Sequence, residues 1–175
     1  MKQAMRFLSH SIASLVVLIV PAGCGDQSTT GPPAVSVFMN VQPAPPAGDA
    51  AHPVRLTTSV LNAGAKPIWH VSECGDGPGI GIRVLGPDGT EVLLRDPYAM
   101  PACPDSQRPL EPGGSLALAI DFTGTLYFRS YEPSGERTYP APPGTYTVVA
   151  HFGYSVAGSM EALQVERSVT FEWGP

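Results

Sequence analysis

Pro142-Pro143-Gly144-Thr145-Tyr146-Thr147-Val148-Val149-Ala150-His151-Phe152 is the stretch that decides the fold. Pro and Gly end whatever precedes them, because one fixes φ and the other tolerates almost any φ. After them Tyr146, Val148, Ala150 and Phe152 recur at every second position. Side chains of a strand alternate between faces, so this period of two predicts a strand with one apolar face. A Tyr just inside a Pro-Gly turn is where sandwich folds place a tyrosine corner, with its hydroxyl bonded back to the backbone.

Other segments repeat the pattern. Ala34 to Val41 alternates through Val35, Val37, Met39 and Val41, and Val54 to Leu61 through Val54, Leu56, Thr58 and Val60. Between them Gln42 to Pro53 is rich in Pro and Ala and reads as an exposed loop. Asn62-Ala63-Gly64-Ala65-Lys66-Pro67 is a turn, and Ile68-Trp69-His70-Val71 resumes an apolar strand in which an outward-facing His is ordinary. Ile80, Ile82 and Val84 alternate up to Gly86-Pro87-Asp88-Gly89, and Glu91 to Leu94 returns, which makes a hairpin. Arg95 to Arg108 reads as a long loop. Glu111-Pro112-Gly113-Gly114 is a turn before Leu116, Leu118, Ile120 and Phe122. Gly153 to Ala162 reads as a turn, and Leu163 to Trp173 alternates again with Arg167 interrupting its apolar face.

No helix of ordinary length stands out. Pro (20) and Gly (19) are abundant and charged residues make up only 14%, which suits short strands joined by tight turns. Seven to eight strands in series predict an all-β chain, a single immunoglobulin-like antiparallel β-sandwich, with barrel-like closure the alternative that the same pattern allows. The sandwich domain is expected over residues 34–175.

The N-terminus predicts location. Lys2 and Arg6 precede an apolar run densest from Leu15 to Val20, and small residues Ala22 and Gly23 precede Cys24. That order is a secretory signal over residues 1–23, too short to cross a hydrocarbon core that takes about 20 apolar residues. Ala22-Gly23-Cys24 resembles the bacterial lipobox, which implies a Cys24 acylated as the mature N-terminus and a membrane-anchored lipoprotein of the bacterial cell envelope. Two acyl chains, at about 0.8 kcal/mol per buried methylene, hold a protein on a bilayer where one is marginal. Residues 24–33 are polar and read as a flexible tether.

With Cys24 lipidated, Cys74 and Cys103 are an even pair in an oxidising compartment, and they flank one hairpin. A disulfide is the expected outcome. Closing some 30 residues would stabilise by about 3 to 4 kcal/mol in the chain-entropy model.

The leader holds two of the ten basic residues and none of the fifteen acidic ones, so eight face fifteen in the remainder. An acidic chain without a basic cluster argues against nucleic acid as a partner. His52, His70 and His151 show no metal-ligand spacing. His70 with Glu73, Cys74 and Asp76 is the densest polar group, and a metal-dependent hydrolase would need a further ligand such as His151. Gly153-Tyr154-Ser155-Val156-Ala157 breaks the nucleophile-elbow pattern at its last position. No catalytic constellation and no cofactor are therefore expected. Tyr127, Phe128, Arg129, Tyr131 and Tyr139 cluster in the less regular stretch from Thr123 to Pro143, with a hairpin predicted about Pro133-Ser134-Gly135. Tyr and Arg dominate binding hot spots, so this is the expected partner surface.

From Val54 to Tyr154 the order of motifs resembles the intracellular proteinase inhibitor (BsuPI-type) family. The shared features are Asn62 with Lys66-Pro67, the Ile82–Val84 strand running into Asp88-Gly89-Thr90-Glu91-Val92, Leu110-Glu111-Pro112-Gly113, and Pro143-Gly144-Thr145-Tyr146. The resemblance implies an immunoglobulin-like sandwich and a proteinase as partner. It carries over no inhibitory residue. The functions to weigh are thus a lipid-anchored protein-binding or scaffolding module, with the bilayer and an envelope protein as partners, a secreted proteinase inhibitor, and the metal-dependent hydrolase.

Overall fold

A computed structural model describes residues 36–72, 77–97, 105–130, 135, 137–156, 159 and 161–175. These all belong to the compact unit Gly31–Pro175. The leader, the tether and all three cysteines (Cys24, Cys74 and Cys103) lie outside the described residues, as does Tyr131.

The chain is all-β. Its elements are β1 (Val37–Ala44), β2 (Ala47–Gly48), β3 (Val54–Asn62), β4 (Ile68–Ser72), β5 (Ile80–Leu85), β6 (Glu91–Val92), β7 (Ser106–Leu110), β8 (Ser115–Phe122), β9 (Thr125–Tyr127), β10 (Thr138–Pro140), β11 (Gly144–Val156) and β12 (Ala162–Trp173). Eight of these are five residues or longer, and the other four are short pairings at edges and corners. Among the described residues no helix is long and apolar enough to cross a membrane.

Two sheets form an antiparallel, immunoglobulin-like sandwich. One has the order β1-β3-β8. The other runs β2-β12-β11-β4-β7, with β5 also on β11 and β6 on β5. All these pairings are antiparallel except that of β2 with β12. Strand β11 is the axis of the larger sheet. One side of it pairs with β12 from Gly144 to Ser155. Its other side pairs with β5 from Thr147 to Phe152 and then with β4 from Tyr154 to Val156.

The alternation read from sequence is realised in the core. Val54, Leu56, Thr58 and Val60 on β3 are buried, as are Tyr146, Val148, Ala150 and Phe152 on β11. Phe122 of the smaller sheet is the hub between the layers. Its ring centroid lies 4.9 Å from those of Tyr146, Phe171 and Trp173 alike. A second cluster gathers Met39, Val60, Ile68, Ile80, Leu110, Ala150 and Phe152. The tyrosine corner forms as expected: the Tyr146 hydroxyl donates to the Pro142 carbonyl at 2.8 Å. Burial, with lesser contributions from Tyr139 and Asp88, pushes that phenol up to about 12, so it remains a donor.

Three boundaries differ from the sequence reading. Ser106–Leu110, placed largely in a loop, is an edge strand on β4. The first strand runs on to Ala44, and Ala47–Gly48 bridges to β12 inside the expected Pro/Ala loop. Strand β11 continues past Gly153 to Val156, where a turn was expected. In each case pairing with a neighbour supplies what polar, Pro- or Gly-containing sequence does not announce.

Candidate functional site

Strand β4 is built the wrong way round for its composition. Ile68 enters the second core cluster, and alternation then turns His70 and Ser72 inward as well. Trp69 and Val71 are left on the outer face, 36% and 46% exposed. An outward-facing His would be ordinary in such a strand, but His70 is 5% exposed, because the Ile68–Leu110 pairing fixes which face points in.

The inward polar groups are accommodated locally. Ser72 Oγ donates to the Gly77 carbonyl at 2.7 Å. The His70 ring lies 5.5 Å from that of Phe152, and its Nδ1 is 3.4 Å from the Val71 carbonyl oxygen. Burial holds the His70 imidazole below its ordinary value of 6.5, opposed by the hydrogen bond to Val71 and reinforced by the charge of Arg108, its cross-strand partner. A His that titrates lower in the folded state binds its proton more readily when unfolded. Its contribution is whole above 6.5 and is lost as the pH falls below that value toward the folded-state pKa. The thermal midpoint should therefore fall as the pH is lowered from about 7 to about 5, and His70→Gln should flatten that part of the profile. Equal slopes for the two proteins would show that His70 is not the group responsible.

Beside Trp69 and Val71 opens a cleft of about 830 Å³ on the larger sheet. Gln107, His151, Gly153 and Ser155 line it with them. Trp69 sits opposite Ser155 of β11 and Pro109 of β7, while Val71 sits opposite Gln107. His151 lies opposite Gly81, and the two are so close that a Cβ built on Gly81 would stand 2.2 Å from the imidazole.

His70 and His151 do not converge as the two ligands of one metal site. By strand parity His70 shares the inner face with Phe152, and His151 the outer face with Gly153. Glu73, Cys74 and Asp76 fall outside the described residues. Among the described residues no group of three or more His, Cys, Asp or Glu is placed to hold a metal ion.

The aromatic segment forms a separate ribbon of β9 and β10. Tyr127 is tied to Leu93 by an isolated bridge. Phe128 and Tyr139 spend part of their surface on each other, with centroids 4.7 Å apart, and Tyr139 also packs on the core. Arg129 is exposed, 3.4 Å from the Glu91 carboxylate, and Arg137 pairs with Asp96. The ribbon therefore brings Tyr127, Phe128, Arg129 and Tyr139 together, with Tyr139 turned partly to the domain.

No family model and no curated protein matches the chain. Solved structures that it resembles include a β-glucosidase from Erythrobacter marinus (15% identity, TM-score 0.41, covering 80% of this chain and 16% of that one). A protein described as ApaA from Bordetella pertussis is 10% identical over 81% of this chain and 96% of its own, with a TM-score of 0.45. The CARDB domain of a Pyrococcus furiosus protein, solved with di-metal ions, is 15% identical over 79% and 86%, with a TM-score of 0.38. The chain thus spans about a sixth of the glucosidase it resembles.

The sequence reading missed Trp69 and Val71 as surface residues. Ile-Trp-His-Val reads as apolar on both faces. The usable signal was His70 and Ser72 sharing one parity with Ile68, which leaves Trp69 and Val71 on the other.

Proposed function

We propose that this chain is a lipid-anchored cell-envelope β-sandwich acting as a non-catalytic protein-binding or scaffolding module. The observation that carries the reading is the reversed strand β4. Burying a large apolar side chain contributes about 1.5–3 kcal/mol, and this strand leaves a third to a half of two such side chains in water on its outer face. Trp69 and Val71 instead stand together at the rim of an open cleft. Contiguous exposed apolar surface rimmed by polar groups marks an interaction site. The leader and Cys24 support export and anchoring, and Cys74 with Cys103 supports a stapled domain outside the reducing cytoplasm. The β9–β10 ribbon, with Arg129 exposed beside Tyr127, offers a second contact surface for a protein partner.

A photo-crosslinking side chain placed at Val71, and separately at Arg129, tests the reading in intact cells. A discrete crosslinked envelope component is expected from at least one position, with the adduct in the membrane fraction. Cys24→Ser should move the protein to the soluble fraction. Absence of any adduct from both positions contradicts the binding role, and retention of the Cys24→Ser protein in membranes contradicts the lipid anchor.

A further inference from the structure

We propose that the cleft beside Trp69 binds a neutral glycan chain. The proposal rests on the reading of the chain as a non-catalytic binding module, but gives this face a glycan in place of a protein, which leaves the protein partner to the β9–β10 ribbon. Four observations carry it.

The first is the platform. Trp69 holds its indole at the surface beside the cleft. A pyranose ring has one flat face of C–H bonds, and an indole is the side chain with most area to lie against it. The second is the charge of the lining. Among the described residues that line it, Asp105 is the only acidic or basic member apart from histidine, and none is Lys or Arg. A phosphate or carboxylate ligand would find no Lys or Arg counter-charge among these described residues. Gln107, Ser155 and His151 both donate and accept hydrogen bonds, as sugar hydroxyls do.

The third is Gly153. It sits within the thirteen-residue strand β11, opposite Gln164, and is not among the glycines with positive φ. A Cβ built on it meets no atom of the described residues within 4 Å. Neither backbone geometry nor internal packing calls for glycine, and a strand-interior glycine costs about 0.5–1 kcal/mol relative to Ala. A glycine there fits a place where a ligand comes close to the backbone. The fourth is size. About 830 Å³ lies within the usual range of ligand clefts and accommodates a short oligosaccharide. An extended proline-rich peptide also stacks on aromatic side chains. Its prolines have no N–H, so its backbone offers mostly carbonyl acceptors and would use only the donor half of the lining's groups, whereas sugar hydroxyls use both.

The test uses the full chain purified in a non-glycosidic detergent. It is titrated with chitohexaose, with cellohexaose and with a proline-rich peptide, following tryptophan emission and heat. Trp173 is buried, so the emission change reports Trp69. Saturable binding of at least one glycan is expected, with none of the peptide. Trp69→Ala should weaken it at least about tenfold. Gly153→Val should weaken it by a similar factor while leaving the thermal midpoint equal or higher, since Val suits a strand better than Gly. Binding of the peptide alone, no saturable binding of either glycan, or wild-type affinity in Gly153→Val each overturns the proposal. Should Val71 crosslink an envelope protein while neither glycan titrates, the binding-module reading stands and the glycan assignment falls.

Discussion

Phe122→Ala is expected to cost about 3–5 kcal/mol, among the largest losses from a single side chain of the described residues. Phe122 is buried on β8 and touches three further rings, those of Tyr146, Phe171 and Trp173. These come from both long strands of the opposite sheet, so the ring is the main apolar link between layers. Removing it takes away its transfer free energy and leaves a cavity that rigid aromatic neighbours close poorly. Whole domains are stable by only about 5–15 kcal/mol, so the variant should lose from about a fifth of its stability to all of it. Urea denaturation of the two proteins measures the difference. Phe38→Ala, at a residue 60% exposed, is the control and should change stability by less than about 0.5 kcal/mol. Similar losses at the two positions would mean that the sheets are not packed as described.

Asn62→Ala should cost about 3 kcal/mol, although it removes only a small polar side chain. Asn62 is fully buried at the end of β3. Its Nδ2 donates to the carbonyls of Lys66 and Leu110, both at 2.9 Å. Its Oδ1 accepts from the Gly64 N–H at 3.1 Å. Its backbone N–H donates to the Gly114 carbonyl and its carbonyl accepts from Gly113. One residue therefore joins the 62–67 turn, the end of β7 and the 111–114 turn. Alanine leaves the Leu110 carbonyl and the Gly64 N–H without their partner, at about 1–3 kcal/mol for each orphaned group. Asn62→Asp should be no better, because a carboxylate cannot donate to the two carbonyls. A loss below about 1 kcal/mol for Asn62→Ala would show that water substitutes there and that Asn62 is not the tie between these loops.

The sequence shows the core strands well because both constraints act in the same direction there. In β3 and β11 alternation, turn residues and burial agree, so Val54 to Val60 and Tyr146 to Phe152 fall on the faces expected. The tyrosine corner is equally legible, since Pro143-Gly144 fixes where the strand begins. Strand β4 is different. Its five residues give two competing parities, and the choice depends on Leu110, more than forty positions away, facing Ile68. Strand β7 is hidden because Ser106-Gln107-Arg108-Pro109 has no apolar period and pairs on one side only. Gly153 reads as a turn residue because local propensity cannot register that β12 and β4 both continue to pair beside it. The ribbon is legible as a hairpin. That Tyr139 turns partly toward the core is a tertiary fact, set by Leu126 across the ribbon and buried beneath it.

The central claim is that the outer face of β4 exists for binding rather than for folding. The double variant Trp69→Ser, Val71→Thr tests it, with the thermal midpoint and retention by envelope material measured on the same preparation. Both residues face outward but are still partly covered, so the double variant should lose about 1–2 kcal/mol, well short of Phe122→Ala, while retention by envelope components other than lipid is lost. A midpoint lowered as far as that of Phe122→Ala, with retention intact, would contradict the account, because it would make Trp69 and Val71 part of the core and leave the cleft without a role.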